Sequence, residues 1–354
     1  MKAKKLDPRE EVDRNTYARQ VAHGYMKRFR DMVEAAQKNA KPAGVWFNSR
    51  PKTNLHIEKK FLRHVEIEAL PTGGWGYAYF PYVARFVRPL NLPTLSHTGR
   101  FYKSWGDNGS LKPKMALKYE CCQILSQGMT NGIGDLLHPR GVPQKAVYDL
   151  IGAVYSHIER CEPFVEGGAI QSQIALVVDP ELGDKPGPSG IGATRALQQL
   201  RQQFDVVAPS ASLDSYELVV IPEATTINAG LKKKLEAYVK ASGSIIVCGR
   251  SALDSEGMPA IEGMNIEVSG QSPFSHTFLR ASKRVSKNLA DYDHVMYEPG
   301  FRMKPAKGAE SLVRIVEPYF ERAFDRFSGH SYTPPAKLSP YSAAVKSGNI
   351  ITFS

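Results

Sequence analysis

The sequence is poor in cysteine, and the spacing of its cysteines gives them no evident structural role. The 354 residues include four of them, Cys121, Cys122, Cys161 and Cys248. This density is far below that of a secreted disulfide framework, and the spacing is not that of zinc ligands. We therefore expect reduced, buried thiols in a cytoplasmic protein, with no metal and no cofactor.

Long apolar runs are also absent. The chain has no stretch of about 18 apolar residues, as a membrane-spanning helix would need, and its N-terminus MKAKKLDPREEVDR lacks the apolar core of a secretion signal. The net charge of +11 is compatible with nucleic-acid binding, yet lysine and arginine are spread along the whole chain. Because such a spread is typical of solvated helix faces, we expect neither a nucleic-acid nor a membrane partner.

The N-terminal part predicts strands that alternate with helices. Asp7-Pro8-Arg9-Glu10 is typical of a helix start with Asp7 as the N-cap, and we expect this helix to end near Lys41-Pro42. Helix-compatible segments such as 112–127 and 146–158 separate or follow short apolar runs. The four runs are residues 44–47, 64–70, 93–97 and 128–134. The alternation predicts parallel strands, and four β/α units make half of a closed (β/α)8 barrel.

A second pattern begins after residue 170. Predicted strands at 174–178, 206–207, 216–222 and 244–249 alternate with predicted helices at 193–204 and 229–241. Strands that are apolar on both faces and alternate with helices indicate a doubly wound α/β sheet. We place this domain at residues 170–282.

Residues 283–354 form an irregular C-terminal extension by their sequence pattern. Within it, residues 317–330 are predicted to be helical or mixed, and residues 349–353 are strand-like. The predicted half-barrel at residues 1–165 and the strand-like end together suggest an internal piece of a longer protein.

The stretch HVEIEALPTGGWGY, residues 64–77, is the principal candidate for chemistry. Side chains alternate along a strand, so His64, Glu66 and Glu68 share one face. A carboxylate directed into a barrel mouth is costly unless it is paired or functional. Glu68, at the last inward position, is therefore our candidate general acid/base. The alternative, in which Glu66 and Glu68 face solvent or bind neighbouring arginines, stays open.

Glycosidase chemistry requires a second carboxyl group beside the sugar bond. Asp107 is the second catalytic candidate, with Glu66, Asp135 or a residue on a strand outside this chain as alternatives. Polar and aromatic side chains at or beyond the ends of the predicted strands would complete a sugar site, although such aromatic residues also plug barrel ends. The predicted substrate-binding residues are Glu66, Trp75, Tyr77, His97, Arg100, Trp105, Asp135, His138 and Arg140.

Signals for other functions are weaker. Gly190-Ile191-Gly192 opens a predicted helix, but Arg195 occupies the third glycine position of a dinucleotide-binding motif, so we expect a loop. Cys248 lacks the flanking glycines of a nucleophile elbow and is expected to be a core thiol. His330 has no neighbour at metal-ligand spacing.

Five motifs, in chain order, resemble a known family. They are WFNS, HVEIEALPTGGWGY, GRFYKSWGDNGSLKP, GIGDLLHPRG and EPYFERAFDRFSGH. Together they resemble bacterial glycoside hydrolases in which a (β/α)8 barrel precedes a β-galactosidase-trimerisation-like domain, a group that includes the family 151 α-L-fucosidases. The resemblance runs over nearly the whole chain, although Tyr102 stands where that family suggests a histidine.

The resemblance implies a fold and an activity. Residues 1–165 would match the second half of a (β/α)8 (TIM) barrel, and the region from about Ile174 to Ser282 a flavodoxin-like, class I glutamine amidotransferase-like domain without the nucleophile. Glu68 would be the general acid/base of a hydrolase for terminal sugars, foremost α-L-fucose, with the nucleophile on an earlier strand outside this chain.

The implied partners are an oligosaccharide or glycoside substrate and other protein chains. We expect a homo-oligomer such as a trimer, or a partner chain that supplies the N-terminal half of the barrel. The alternative is a catalytically inactive assembly module that remains from such an enzyme.

Overall fold

The computed structural model describes residues 1, 4–37, 55–179 and 187–354. Two compact units can be separated, one formed by the chain up to Gln171 and the other by Ser172–Asp179 and Pro188–Ser354. The predicted strand at 44–47, the motif WFNS and the predicted helix end near Lys41-Pro42 lie outside the described residues. In the parts described, no helix combines the length and the apolar character needed to cross a bilayer.

The first unit opens with a long helix, α1, at Glu11–Ala36. The predicted start at Asp7 is wrong, because the Asp7 carboxylate accepts from the backbone amide of Arg9 at 2.9 Å in a turn that precedes the helix. Glu10 is the observed N-cap and makes no side-chain cap, and no residue of α1, which is fully described, is buried. The helix therefore contributes a solvated face rather than core.

The centre of the first unit is a three-stranded parallel sheet in the order β1-β2-β3. Its strands are β1 at Val65–Glu68, β2 at Thr94–Gly99 and β3 at Thr130–Gly134. Three of the four predicted strands of this region are thereby confirmed. The remaining α-helices among the described residues of this unit are α2 at Leu55–Glu58, α3 at Tyr79–Val87, α4 at Lys114–Ser126 and α5 at Lys145–Cys161.

One face of this sheet is apolar. Val65 and Ile67 of β1 are buried, as strand alternation requires. Helices α4 and α5 pack through a small apolar cluster made by Leu117, Cys121, Leu125, Val154 and Ile158. Burial of such side chains at about 25 cal/mol per Å² is the main force that holds helices on this face.

The second unit is an eleven-stranded mixed sheet. A parallel part, in the order β14-β7-β6-β4-β5, continues into an antiparallel part, in the order β10-β9-β12-β13-β14. Strand β11 pairs with β13 and β8. The strands are β4 at Ile174–Val177, β5 at Phe204–Val207, β6 at Leu218–Ile221, β7 at Ser244–Cys248, β8 at Ile266–Gln271, β9 at Thr277–Ala281, β10 at His294–Met296, β11 at Phe301–Pro305, β12 at Ala309–Pro318, β13 at Pro335–Ser347 and β14 at Ile350–Phe353.

Two helices accompany the parallel strands, α6 at Pro188–Gln199 and α7 at Ala229–Lys240. The Asn228 side chain caps α7 by accepting from the amide of Leu231. Helix α6 begins and ends earlier than the predicted range 193–204, and Phe204 begins β5 instead. Gly190 and Gly192 lie inside α6, so the loop predicted there is wrong.

The segment after residue 282 forms regular antiparallel strands, not irregular structure. Met303, Val345 and Ile350 belong to the same apolar core as Ile221 and Leu235, so β11, β13 and β14 extend the core of the parallel part. Strand β14 confirms the predicted strand at 349–353. No helix forms across 317–330, where β12 ends at Pro318 and turns follow.

Candidate active site

One face of the three-stranded sheet carries the predicted acidic residues. Glu66 and Glu68 lie opposite to the buried Val65 and Ile67, and Glu68 is level with His97 on β2. Parallel strands place their carboxyl ends at one edge of the sheet. Glu68 therefore lies at that edge together with the loops that follow β1 and β2.

Two glycines of β3 leave room above this face. A Cβ atom on Gly132 would lie 2.9 Å from Cβ of His97, and a Cβ atom on Gly134 would lie 2.5 Å from the Trp105 ring. Since real Cβ atoms do not approach so closely, the histidine and the indole occupy the space that these two glycines leave free. The sequence GIG in β3 is thus complementary to His97 and Trp105.

An open cleft of about 530 Å³ lies over the carboxyl ends of β1 and β2. It combines one carboxylate, one imidazole and two indoles. Its lining residues are Glu68, Leu70, Gly73, Trp75, His97, Ser104 and Trp105. The structure therefore brings together four of the predicted site residues, namely Glu68, Trp75, His97 and Trp105.

His97 also meets the second glutamate of β1. Its Nδ1 atom lies 3.0 Å from Oε1 of Glu66, and both side chains are about four-fifths buried. The two atoms do not form a hydrogen bond, and Nδ1 of His97 has no hydrogen-bond partner among the described residues. The two side chains nevertheless lie in contact on this face of the sheet, beside the cleft.

Aromatic contacts hold the two indoles. The Trp75 ring meets Tyr79 edge to face at 5.0 Å, and the Trp105 ring meets Phe101 edge to face at 5.2 Å. Trp105 is still 46% exposed. A partly exposed indole on a fixed support is suited to stacking against the apolar face of a ligand.

Arg100 and Asp135 organise the loop that carries Trp105. Arg100 is 1% exposed, and its Nε donates to the Asp135 carboxylate at 2.8 Å. Its Nη1 donates to the backbone carbonyls of Asn108 and Ser110 at 3.2 and 3.0 Å. These contacts are within the protein, so the geometry gives this pair the role of holding the loop between β2 and α4.

The other predicted site residues lie away from the cleft lining. Asp107 lies in a turn of the same loop, where its carbonyl accepts from the amide of Ser110. His138 and Arg140 are exposed in the turn after β3, and Nδ1 of His138 accepts from the Arg140 amide at 3.3 Å. Their assignments as catalytic or substrate-binding residues stay predictions.

Tyr77 points to a buried polar cluster that the sequence analysis did not identify. Its hydroxyl donates to Oε1 of Glu120 on α4 at 3.0 Å. The other Glu120 oxygen accepts from Nζ of Lys112 at 2.6 Å and from the Thr98 hydroxyl at 2.5 Å. Burial and the negative charge of Glu120 raise the pKa of Tyr77 to about 12, so that it remains a donor. Glu120 is buried on α4 with Leu117 and Ile124, and an acidic residue at this apolar spacing was a signal that could have revealed the cluster.

Similarity to known proteins extends over the whole chain. Residues 195–265 match the family described as β-galactosidase trimerisation domain. The structure of α-L-fucosidase isoenzyme 2 from Paenibacillus thiaminolyticus superposes on 100% of this chain with a TM-score of 0.92 and 30% identity. This chain is a relative of glycoside hydrolases. The resemblance noted in the five sequence motifs is thereby confirmed.

More distant relatives are β-galactosidases. The β-galactosidase BglY of Alicyclobacillus acidocaldarius is 28% identical over 123 residues, which are 31% of this chain and 18% of that protein. The β-galactosidase of Rahnella sp. R3 shares the fold over 84% of this chain and 49% of its own, with a TM-score of 0.64 and 14% identity. The chain spans 54% of the length of the α-L-fucosidase.

The contact between Gly134 and Trp105 can be tested by adding one methyl group. In Gly134→Ala, the new Cβ would overlap the indole, so the ring must move away from β3. With Trp46 and Trp75 replaced by phenylalanine, we expect a shifted Trp105 emission maximum and stronger quenching by acrylamide. Gly109→Ala is the matched control, because a Cβ there meets nothing within 4 Å. Identical spectra for the two variants would contradict the described packing.

Proposed function

We propose that this chain forms the catalytic cleft of a glycoside hydrolase that removes a terminal sugar, α-L-fucose, from an oligosaccharide or glycoside. The observation that carries the proposal is the cleft that joins Glu68 and His97 to the indoles of Trp75 and Trp105. The similarity to an α-L-fucosidase over the whole chain, at 30% identity, supports fucose as the sugar.

Glu68 is the general acid/base in this proposal. Glycosidases protonate the leaving oxygen with one carboxyl group while a second one acts as nucleophile or activates water. Glu68 lies at the carboxyl end of β1 and lines the cleft, so it can reach a glycosidic oxygen held there. Trp75 and Trp105 would stack on the apolar face of the sugar, and His97 would contact its hydroxyl groups.

The second carboxylate has three candidates in this chain. Asp135 is engaged with Arg100, and Glu66 lies against His97. Asp107 keeps the predicted catalytic assignment, and a change in the loop that carries it would be needed to bring it to the cleft. A carboxylate on another strand is the alternative, since within the described residues β1 and β3 each pair with β2 alone.

That arrangement supports the proposal that the sheet is part of a (β/α)8 barrel. Both outer strands of the described sheet have an unpaired edge, and free edges promote association with other strands. Strands from a partner chain, or from a further copy, would complete the barrel. In the same proposal the second unit, with its parallel strands and its match to a trimerisation domain, is flavodoxin-like and mediates oligomerisation.

A second candidate function is assembly without catalysis. The match to the trimerisation domain at residues 195–265 favours it, because that region lies outside the unit that contains the cleft. In this alternative the first unit is a remnant of an enzyme.

Replacing the proposed acid/base tests the catalytic function. Glu68→Gln should lower the hydrolysis rate of a phenyl α-L-fucoside by about 10²- to 10⁴-fold in the assembled protein. The decrease in hydrolysis rate should be smaller for a dinitrophenyl α-L-fucoside, because a dinitrophenolate leaves without needing a proton from Glu68. Asp149→Asn is the control, since Asp149 is 61% exposed on α5 and pairs with Lys145. Equal losses for both substrates would rule out the general-acid role of Glu68.

Limited proteolysis separates the two candidate functions, because cleavage follows local opening. If the sheet of the first unit is completed by association, residues 55–165 should resist cleavage at concentrations at which sedimentation shows an oligomer. If these residues are cut rapidly while 174–282 survives as an oligomer, assembly without catalysis is the better account. Mass spectrometry of the fragments gives the answer.

A further inference from the structure

We infer that Glu120 is a positioning residue that holds the two tryptophan loops of the cleft at a fixed separation. The inference rests on the proposed function only for the statement that a sugar binds between the loops. The contacts that hold the loops are independent of that function. One loop joins β1 to α3 and carries Trp75. The other joins β2 to α4 and carries Trp105.

Glu120 binds both loops through one carboxylate. Oε1 accepts from the hydroxyl of Tyr77, which lies two residues after Trp75, at 3.0 Å. Oε2 accepts from Nζ of Lys112 at 2.6 Å. Lys112 ends the Trp105 loop, where its backbone amide donates to the carbonyl of Arg100 at 3.0 Å. A single side chain on α4 therefore joins the end of one loop to the end of the other.

Burial makes this junction rigid. The side chains of Lys112 and Glu120 are 1% and 5% exposed, and the Thr98 hydroxyl both donates to Oε2 of Glu120 and accepts from Lys112. A buried ion pair that loses one partner leaves an uncompensated charge, which is strongly destabilising. The Trp105 loop therefore cannot leave the junction at Lys112 without isolating a buried charge, whereas Tyr77, which is 42% exposed, is held by its hydrogen bond to Glu120.

The junction lies on the helix side of the sheet, whereas the cleft lies on the other side. Thr98 alternates with His97 along β2, so the two side chains point to opposite faces. Glu120, Lys112 and Tyr77 thus lie outside the cleft lining, and they act on the cleft through the loops. The separation of the two indoles, and with it the size of the ring that fits between them, depends on this junction.

Two variants test the link from Glu120 to each loop separately. Tyr77→Phe removes the link to the Trp75 loop and leaves the ion pair intact. The double variant Lys112→Met with Glu120→Gln removes the ionic link to the Trp105 loop without leaving a buried charge, and the introduced amide keeps a carbonyl that can accept from Tyr77. The matched controls are Tyr148→Phe and the double variant Lys145→Met with Asp149→Asn, all at exposed positions on α5.

Acrylamide quenching in backgrounds with a single tryptophan reports on each loop. In the background that retains Trp75, Tyr77→Phe should raise the Stern–Volmer constant above that of its control. In the background that retains Trp105, the double variant should do so, while Tyr77→Phe should not. If Glu120 had only a structural role, each variant would instead change the Stern–Volmer constants of both indoles together. The melting temperature would then fall in proportion to that change.

The proposal is overturned if quenching of each indole stays at the control value, or if both indoles respond equally to Tyr77→Phe. Because no sugar is present in these measurements, they decide the role of Glu120 independently of the fucosidase proposal. Failure of Glu68→Gln to slow hydrolysis would overturn the proposed function and leave the positioning result unchanged.

Discussion

The parallel pairing of β1, β2 and β3 is the constraint on which the cleft depends. In this register Glu68 is level with His97, and His97 is level with Gly132. Alternation then sends Val65 and Ile67 to one face and both glutamates of β1 to the other. A slip of one residue would exchange these faces and bury two carboxylates against the apolar side.

The cleft also depends on the space left by two glycines and on buried charged side chains. Gly132 and Gly134 leave room for His97 and Trp105 on the face that carries Glu66 and Glu68, and the Lys112–Glu120 pair occupies the helix side. Arg100 holds the loop that carries Trp105 through the carbonyls of Asn108 and Ser110, and it also binds Asp135 after β3. The cleft is therefore formed by loops whose ends are held by buried polar contacts.

Strand periodicity was sufficient to predict β1, β2, β3 and the position of Glu68 at the cleft. It was not sufficient for loop residues, because the direction of a loop side chain depends on contacts with distant segments. Tyr77 is the clearest case: the sequence placed it beside Trp75, and the structure directs it to Glu120, which is 43 residues away. The start of α6 was misplaced because its first turn is rich in glycine, which is normally a poor helix former.

Hydrogen–deuterium exchange in the presence of saturating L-fucose tests the central claim most directly, which is that the cleft over β1 and β2 is a sugar site. If the cleft binds the sugar, exchange should slow in residues 69–76 and 97–106 and stay unchanged in the second unit. D-glucose at the same concentration is the control. Unchanged exchange in both segments, or slowing confined to the second unit, would contradict the account.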